Sequence, residues 1–115
     1  MRFAREFRRH LERKGVQGLL DYDWAERFWE LGFEMDCGHS FNEKTGLLLG
    51  DERGLDRVLG SVDDIRILGD AAFSQCRYIT HWAYSLECES VGWIVKVLRR
   101  MEELADGGAL DPGLE

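Results

Sequence analysis

The sequence predicts an all-α fold, a small bundle of about five helices built on a C-terminal antiparallel helix hairpin over residues 61–105. Three observations carry that expectation. Val91, Ile94, Val95, Leu98, Met101 and Ala105 recur at threes and fours. Ile65, Leu68, Ala72, Cys76, Ile79 and Ala83 fall on one broad arc when each residue turns about 100°. Glycine closes successive periodic segments, at Gly15, Gly18 and Gly60.

In chain order, residues 3–14 read as a first helix with a narrow apolar stripe of Phe3, Phe7 and Leu11. Trp24, Phe28 and Leu31 mark a second over 24–34, with Trp29 on its flank. Asp23, followed three residues on by Glu26, resembles a capping box for it. Aromatics at this spacing belong to a core rather than a cofactor site. Residues 35–50 lose helical periodicity. Phe33, Met35 and Cys37 alternate with Glu34 and Asp36, which leaves room for a minor β-hairpin pairing 33–37 with 47–49. A short helix follows over 51–59. The hairpin's first helix is expected to start at Ser61, with Asp63 and Asp64 in its first turn, and Ser85 is expected to cap the second. Residues 1–106 make one domain, and 107–115, rich in Gly, Pro and acids, a flexible tail.

Composition narrows the function classes. With 44% apolar and 11% aromatic residues, the 115-residue chain can bury one core but not two. A net charge of −7 argues against a general nucleic-acid-binding domain, because phosphate neutralisation needs a positive surface. The charge is uneven. Residues 1–14 hold Arg2, Arg5, Arg8, Arg9, Arg13 and Lys14 against Glu6 and Glu12, a net of +4, so the remainder stands at −11. That basic face either pairs with the chain's own acids or contacts an anionic partner such as nucleic acid. Three cysteines, Cys37, Cys76 and Cys88, cannot all pair within one chain, and Cys76 on the apolar arc fits a reduced thiol. No secretory h-region opens the chain and no apolar run reaches membrane-spanning length, so a cytoplasmic location without a membrane partner is expected.

One constellation could carry a site. From Ile65 to Leu86 only Arg66, Asp70 and Arg77 are charged, in a chain that is 32% charged. Asp70, Ser74, Arg77, His81 and Tyr84 lie within about 40° of one line facing away from the apolar arc, with Tyr78 on its flank. Arg77 suits a carboxylate or phosphate, and His81 suits proton transfer near neutral pH. The same side chains also suit structural hydrogen bonds that tether the 36–50 loop to the hairpin. Zinc at Cys37 and His39, completed by Cys76, His81 or Cys88, lacks any usual ligand spacing. Ser74 and His81 are two helical turns apart, about 10.5 Å, too far for nucleophile activation. No phosphate loop, metalloprotease motif or paired-carboxylate arrangement occurs, so no metal or cofactor is expected.

The sequence therefore reads as a small acidic interaction module without catalysis, binding and regulating another protein through the Arg77–His81 face or an acidic surface. The first alternative is a ligand-binding domain or enzyme whose pocket is lined by Arg77 and His81. The second is nucleic-acid contact through the basic first helix. Abundant aromatics and the stripe of Phe3, Phe7 and Leu11 also allow a homodimer.

Overall fold

The computed structural model describes residues 1–82 and 90–108, without the side chains of Trp82 and Ser90. Seven α-helices appear among the described residues: α1 Arg2–Lys14, α2 Gly18–Asp21, α3 Trp24–Glu30, α4 His39–Thr45, α5 Leu55–Leu59, α6 Ile65–Trp82 and α7 Ser90–Asp106. A short 3₁₀ turn, Gly15–Gln17, joins α1 to α2. The fold is all-α, as the periodicities predict. None of the described helices is long and apolar enough to cross a membrane.

The apolar arc of α6 is the centre of the core. Ile65, Leu68, Ala72, Cys76 and Ile79 are buried there, and α7 packs along them with Ile94, Leu98 and Met101. Arg100, late in α7, donates to the carbonyls of Gly60 and Val62 just ahead of α6, at 3.1 Å each. The two helices therefore run antiparallel. The expected cap at Ser85 lies outside the described residues.

Phe3, Ala4, Phe7 and Leu11 of α1 are buried against the body of the protein, and α1 lies along α7. The stripe once available for a homodimer is thus used within the chain. Arg8 fixes this contact, with Nη2 donating to Glu102 Oε1 at 3.0 Å and Nε to the other oxygen of that carboxylate. Phe28 of α3 sits edge-on to Phe3, centroids 4.8 Å apart, and stacks on Phe73 of α6 at 4.9 Å. One ring thereby joins three helices. Trp24 is buried with its indole N–H on the Leu19 carbonyl at 2.8 Å.

Four expectations need correction. Residues 33–49 hold no strand: the segment contains α4 instead. The alternation there does not define one buried face, because Phe33 is buried while Met35 and Cys37 are exposed. The Asp36 carboxylate accepts the N–H groups of Gly38 at 2.9 Å and Ser40 at 3.1 Å, and this turn launches α4. Second, α6 begins at Ile65, where Asp64 caps it by accepting the Arg66 N–H at 2.9 Å. Ser61 instead donates back to Val58, at 2.7 Å. Third, α3 ends at Glu30, and Asp23 makes no side-chain cap bond. Its carboxylate lies beside Glu26 and raises that group's pKa through a side-chain hydrogen bond and charge repulsion. Fourth, the short helix expected over 51–59 is confined to Leu55–Leu59.

Candidate functional site

The polar line of α6 divides at Ser74. Below it, one side chain per turn binds the segment 31–40. Arg66 donates to the Leu31 carbonyl at 3.0 Å and places its guanidinium 5.2 Å from the Phe33 ring centroid. Asp70 accepts the Glu34 N–H at 2.8 Å. Ser74 donates to the Asp70 carbonyl at 2.8 Å and reaches Asp36 Oδ1 at 3.5 Å. Between these ties the Phe33 ring lies flush on Gly69, where an added Cβ would stand 2.0 Å from a ring carbon. Only glycine admits that approach inside a helix.

Two carboxyl groups in this lower half are shifted in opposite directions. Burial pushes the Asp70 carboxyl up, aided by the charges of Asp36 and Glu34, while the Glu34 N–H and Arg66 oppose the rise. For Asp36 burial is again the largest influence and acts upward. The donors from Ser40 and Gly38 together outweigh it, and its pKa is lowered. Asp70 thus ties the loop to α6 through the Glu34 N–H, while the Ser74 O–H is spent on the Asp70 carbonyl.

Above Ser74 the stripe is exposed among the described residues. Arg77, Tyr78 and His81 are exposed, and no carboxylate pairs with Arg77 among the described residues. A cleft of about 160 Å³ lies here, lined by Met35, Cys37, Leu49, Ser74, Arg77 and Tyr78. Met35 is 44% exposed and Tyr78 54% exposed, a pair of large apolar rims, and nearby in sequence Leu48 is 72% exposed. The chain reaches this position through a sharp reversal: Cys37 has φ +58° and Gly38 φ +78°. A Cβ at position 38 would stand 2.5 Å from Leu49, so the turn needs both the left-handed backbone and the missing side chain. Cys37 keeps a left-handed conformation that L-residues rarely adopt, a form of strain that concentrates at functional surfaces.

The candidate residues are therefore only partly brought together. Ser74, Arg77 and Tyr78 share the cleft, Asp70 lies in the tether below it, and His81 is exposed outside the lining. Tyr84 lies outside the described residues. Met35, Cys37 and Leu49 join them in the lining: Cys37 and Leu49 belong to the 36–50 loop expected to face the polar line, and Met35 lies just outside it. Their signal was Asp36-x-Gly38-x-Ser40, a turn signature that aims the preceding residues at α6.

Catalytic chemistry finds little here. Ser74 donates away from the cleft, and no imidazole lines it. Burial pushes the Cys76 thiol well up and removes it from reach. Among the described residues no three His, Cys, Asp or Glu side chains converge on a possible metal position, and Cys88 lies outside them. Comparison of the chain with family models, curated proteins and solved structures finds no match.

Proposed function

We propose that this protein is a non-catalytic interaction module that docks another protein on the uncovered end of the α6 stripe. The observation that carries this reading is the pairing of exposed Met35 and Tyr78 around Arg77, which has no ion pair among the described residues, over a small apolar cleft. Aromatic, methionine and arginine side chains are enriched where protein interfaces form. At about 160 Å³ the cleft is below the roughly 300–1,000 Å³ of small-molecule sites, which counts against the ligand-pocket alternative. The position of His81 outside the cleft counts against it as well. Partner capture from the native source with the wild-type protein and with an Arg77→Ala/Tyr78→Ala variant tests the reading. A partner retained by the wild type and lost by the folded variant is expected; equal retention contradicts it.

A second reading has one observation in its favour. The structure commits Arg5 and Arg8 to Glu102, while Arg2, Arg9, Arg13 and Lys14 have no ion pair among the described residues. Arg2, Arg9 and Arg13 fall within about 40° on the outer face of α1. Nucleic acid is the anionic partner this reading specifies. It predicts binding that weakens with added salt and disappears on charge reversal at Arg9 and Arg13.

A further inference from the structure

We propose that the cleft beside Arg77 is a socket for one aliphatic side chain, Leu, Ile or Met, from a partner segment carrying Asp or Glu within two positions, the carboxylate pairing with Arg77. This rests on the docking reading above and specifies what is docked.

Size sets the first half of the motif. At about 160 Å³ the cleft is well below the roughly 300–1,000 Å³ of small-molecule pockets, a scale that suits a single side chain such as Leu, Ile or Met. The lining is chemically suited to it: Leu49, the rims Met35 and Tyr78, and a Ser74 hydroxyl already turned to the Asp70 carbonyl. An acceptor entering here would find no free donor on Ser74.

Charge sets the second half. Among the described residues Arg77 is the sole charged residue in the lining. The nearby Asp36 carboxylate is held by the N–H groups of Gly38 and Ser40, and that of Asp70 by the Glu34 N–H. Neither is placed as an ion-pair partner of Arg77, so an incoming carboxylate can take that position. Because Arg77 itself lines the cleft, the carboxylate must lie close to the seated residue. Extended chain advances about 3.3 Å per residue, so two positions cover the reach of the guanidinium. A side-chain carboxylate is specified rather than a chain terminus. Terminal carboxylates are captured by clustered backbone N–H groups. Here the Gly38 and Ser40 N–H groups already serve Asp36, and Ser74, Arg77 and Tyr78 lie within a continuous helix.

The test pans a random peptide library on phage against the full-length protein and against Arg77→Glu and Tyr78→Ala variants, each verified as folded by circular dichroism. Enriched wild-type binders are expected to share an aliphatic residue with Asp or Glu within two positions. As synthetic peptides they should bind Arg77→Glu at least about fivefold more weakly, since pair loss is compounded by repulsion. Replacing the peptide acid by Lys should restore binding to Arg77→Glu. Binders that need Tyr78 but show no acid preference and tolerate Arg77→Glu overturn the motif and leave the docking surface standing. Absence of any binder sensitive to Tyr78→Ala overturns both.

Discussion

The two halves of the α6 stripe differ in cover rather than in kind. Arg66, Asp70 and Ser74 are polar side chains on the same helix as Arg77, Tyr78 and His81, and each set begins with an arginine. The lower three face segment 31–40 and are used by it at every turn. The upper three are exposed because segment 31–40 reaches no hydrogen-bonding group of α6 beyond Ser74 before the Asp36 carboxylate turns it into α4. One loop thus decides which half is structure and which is surface. A helical stripe of mixed polarity marks where contacts are made, while the neighbouring backbone decides with whom.

The comparison breaks most sharply at Gly69. Gly69→Ala forces the Phe33 ring off α6, and overpacking of about 1–3 kcal/mol outweighs the roughly 1 kcal/mol that alanine adds to helix propensity. A net loss of stability is expected in urea unfolding. A more stable Gly69→Ala protein would contradict the close approach of ring and helix.

The tether at Asp36 comes next. Asp36→Ala removes the acceptor that starts α4 and should cost about 1–2 kcal/mol. Asp36→Asn keeps one oxygen and should cost less. The folded-state pKa of Asp36 is lowered. Its contribution is therefore fully present above the ordinary carboxylate pKa and lost as pH falls through the folded value. The stability difference between wild type and Asp36→Asn should accordingly shrink on acidification below about pH 4. A difference unchanged by acid would contradict the hydrogen-bonded carboxylate.

Asp70 gives the smallest effect and the opposite sign. Its raised pKa means that ionisation is a penalty present above the folded value and relieved as pH falls through it. Asp70→Asn keeps an oxygen for the Glu34 N–H and removes the repulsion from Asp36 and Glu34. It should be neutral or stabilising by a few tenths of a kcal/mol at pH 7, with the gain fading in acid. A clear loss at pH 7 would show that the charge itself secures Glu34.

The core was legible in the sequence wherever a long amphipathic period existed. The buried arcs of α1, α6 and α7 follow directly from Phe3–Phe7–Leu11, Ile65–Ile79 and Val91–Met101. Four-residue α2 and the 3₁₀ turn are too short to show any period. Residues 33–37 misled because alternation mimics a strand, whereas Phe33 enters the core and Met35 and Cys37 rim a cleft. The helical wheel grouped Asp70, Ser74, Arg77 and His81 on one line, yet an angle on a wheel carries no information about what lies opposite. For that reason Asp70 and Arg77 read alike in sequence and differ in the fold.

The most direct test is one alanine series along the stripe, read by chemical denaturation at pH 7. Arg66→Ala and Ser74→Ala should each lower the unfolding free energy by about 0.5–2 kcal/mol, through lost hydrogen bonds and, at Arg66, the ring contact. Arg77→Ala and His81→Ala should stay within about 0.5 kcal/mol of wild type. Losses at Arg77 and His81 equal to those at Arg66 and Ser74 would contradict a stripe divided at Ser74.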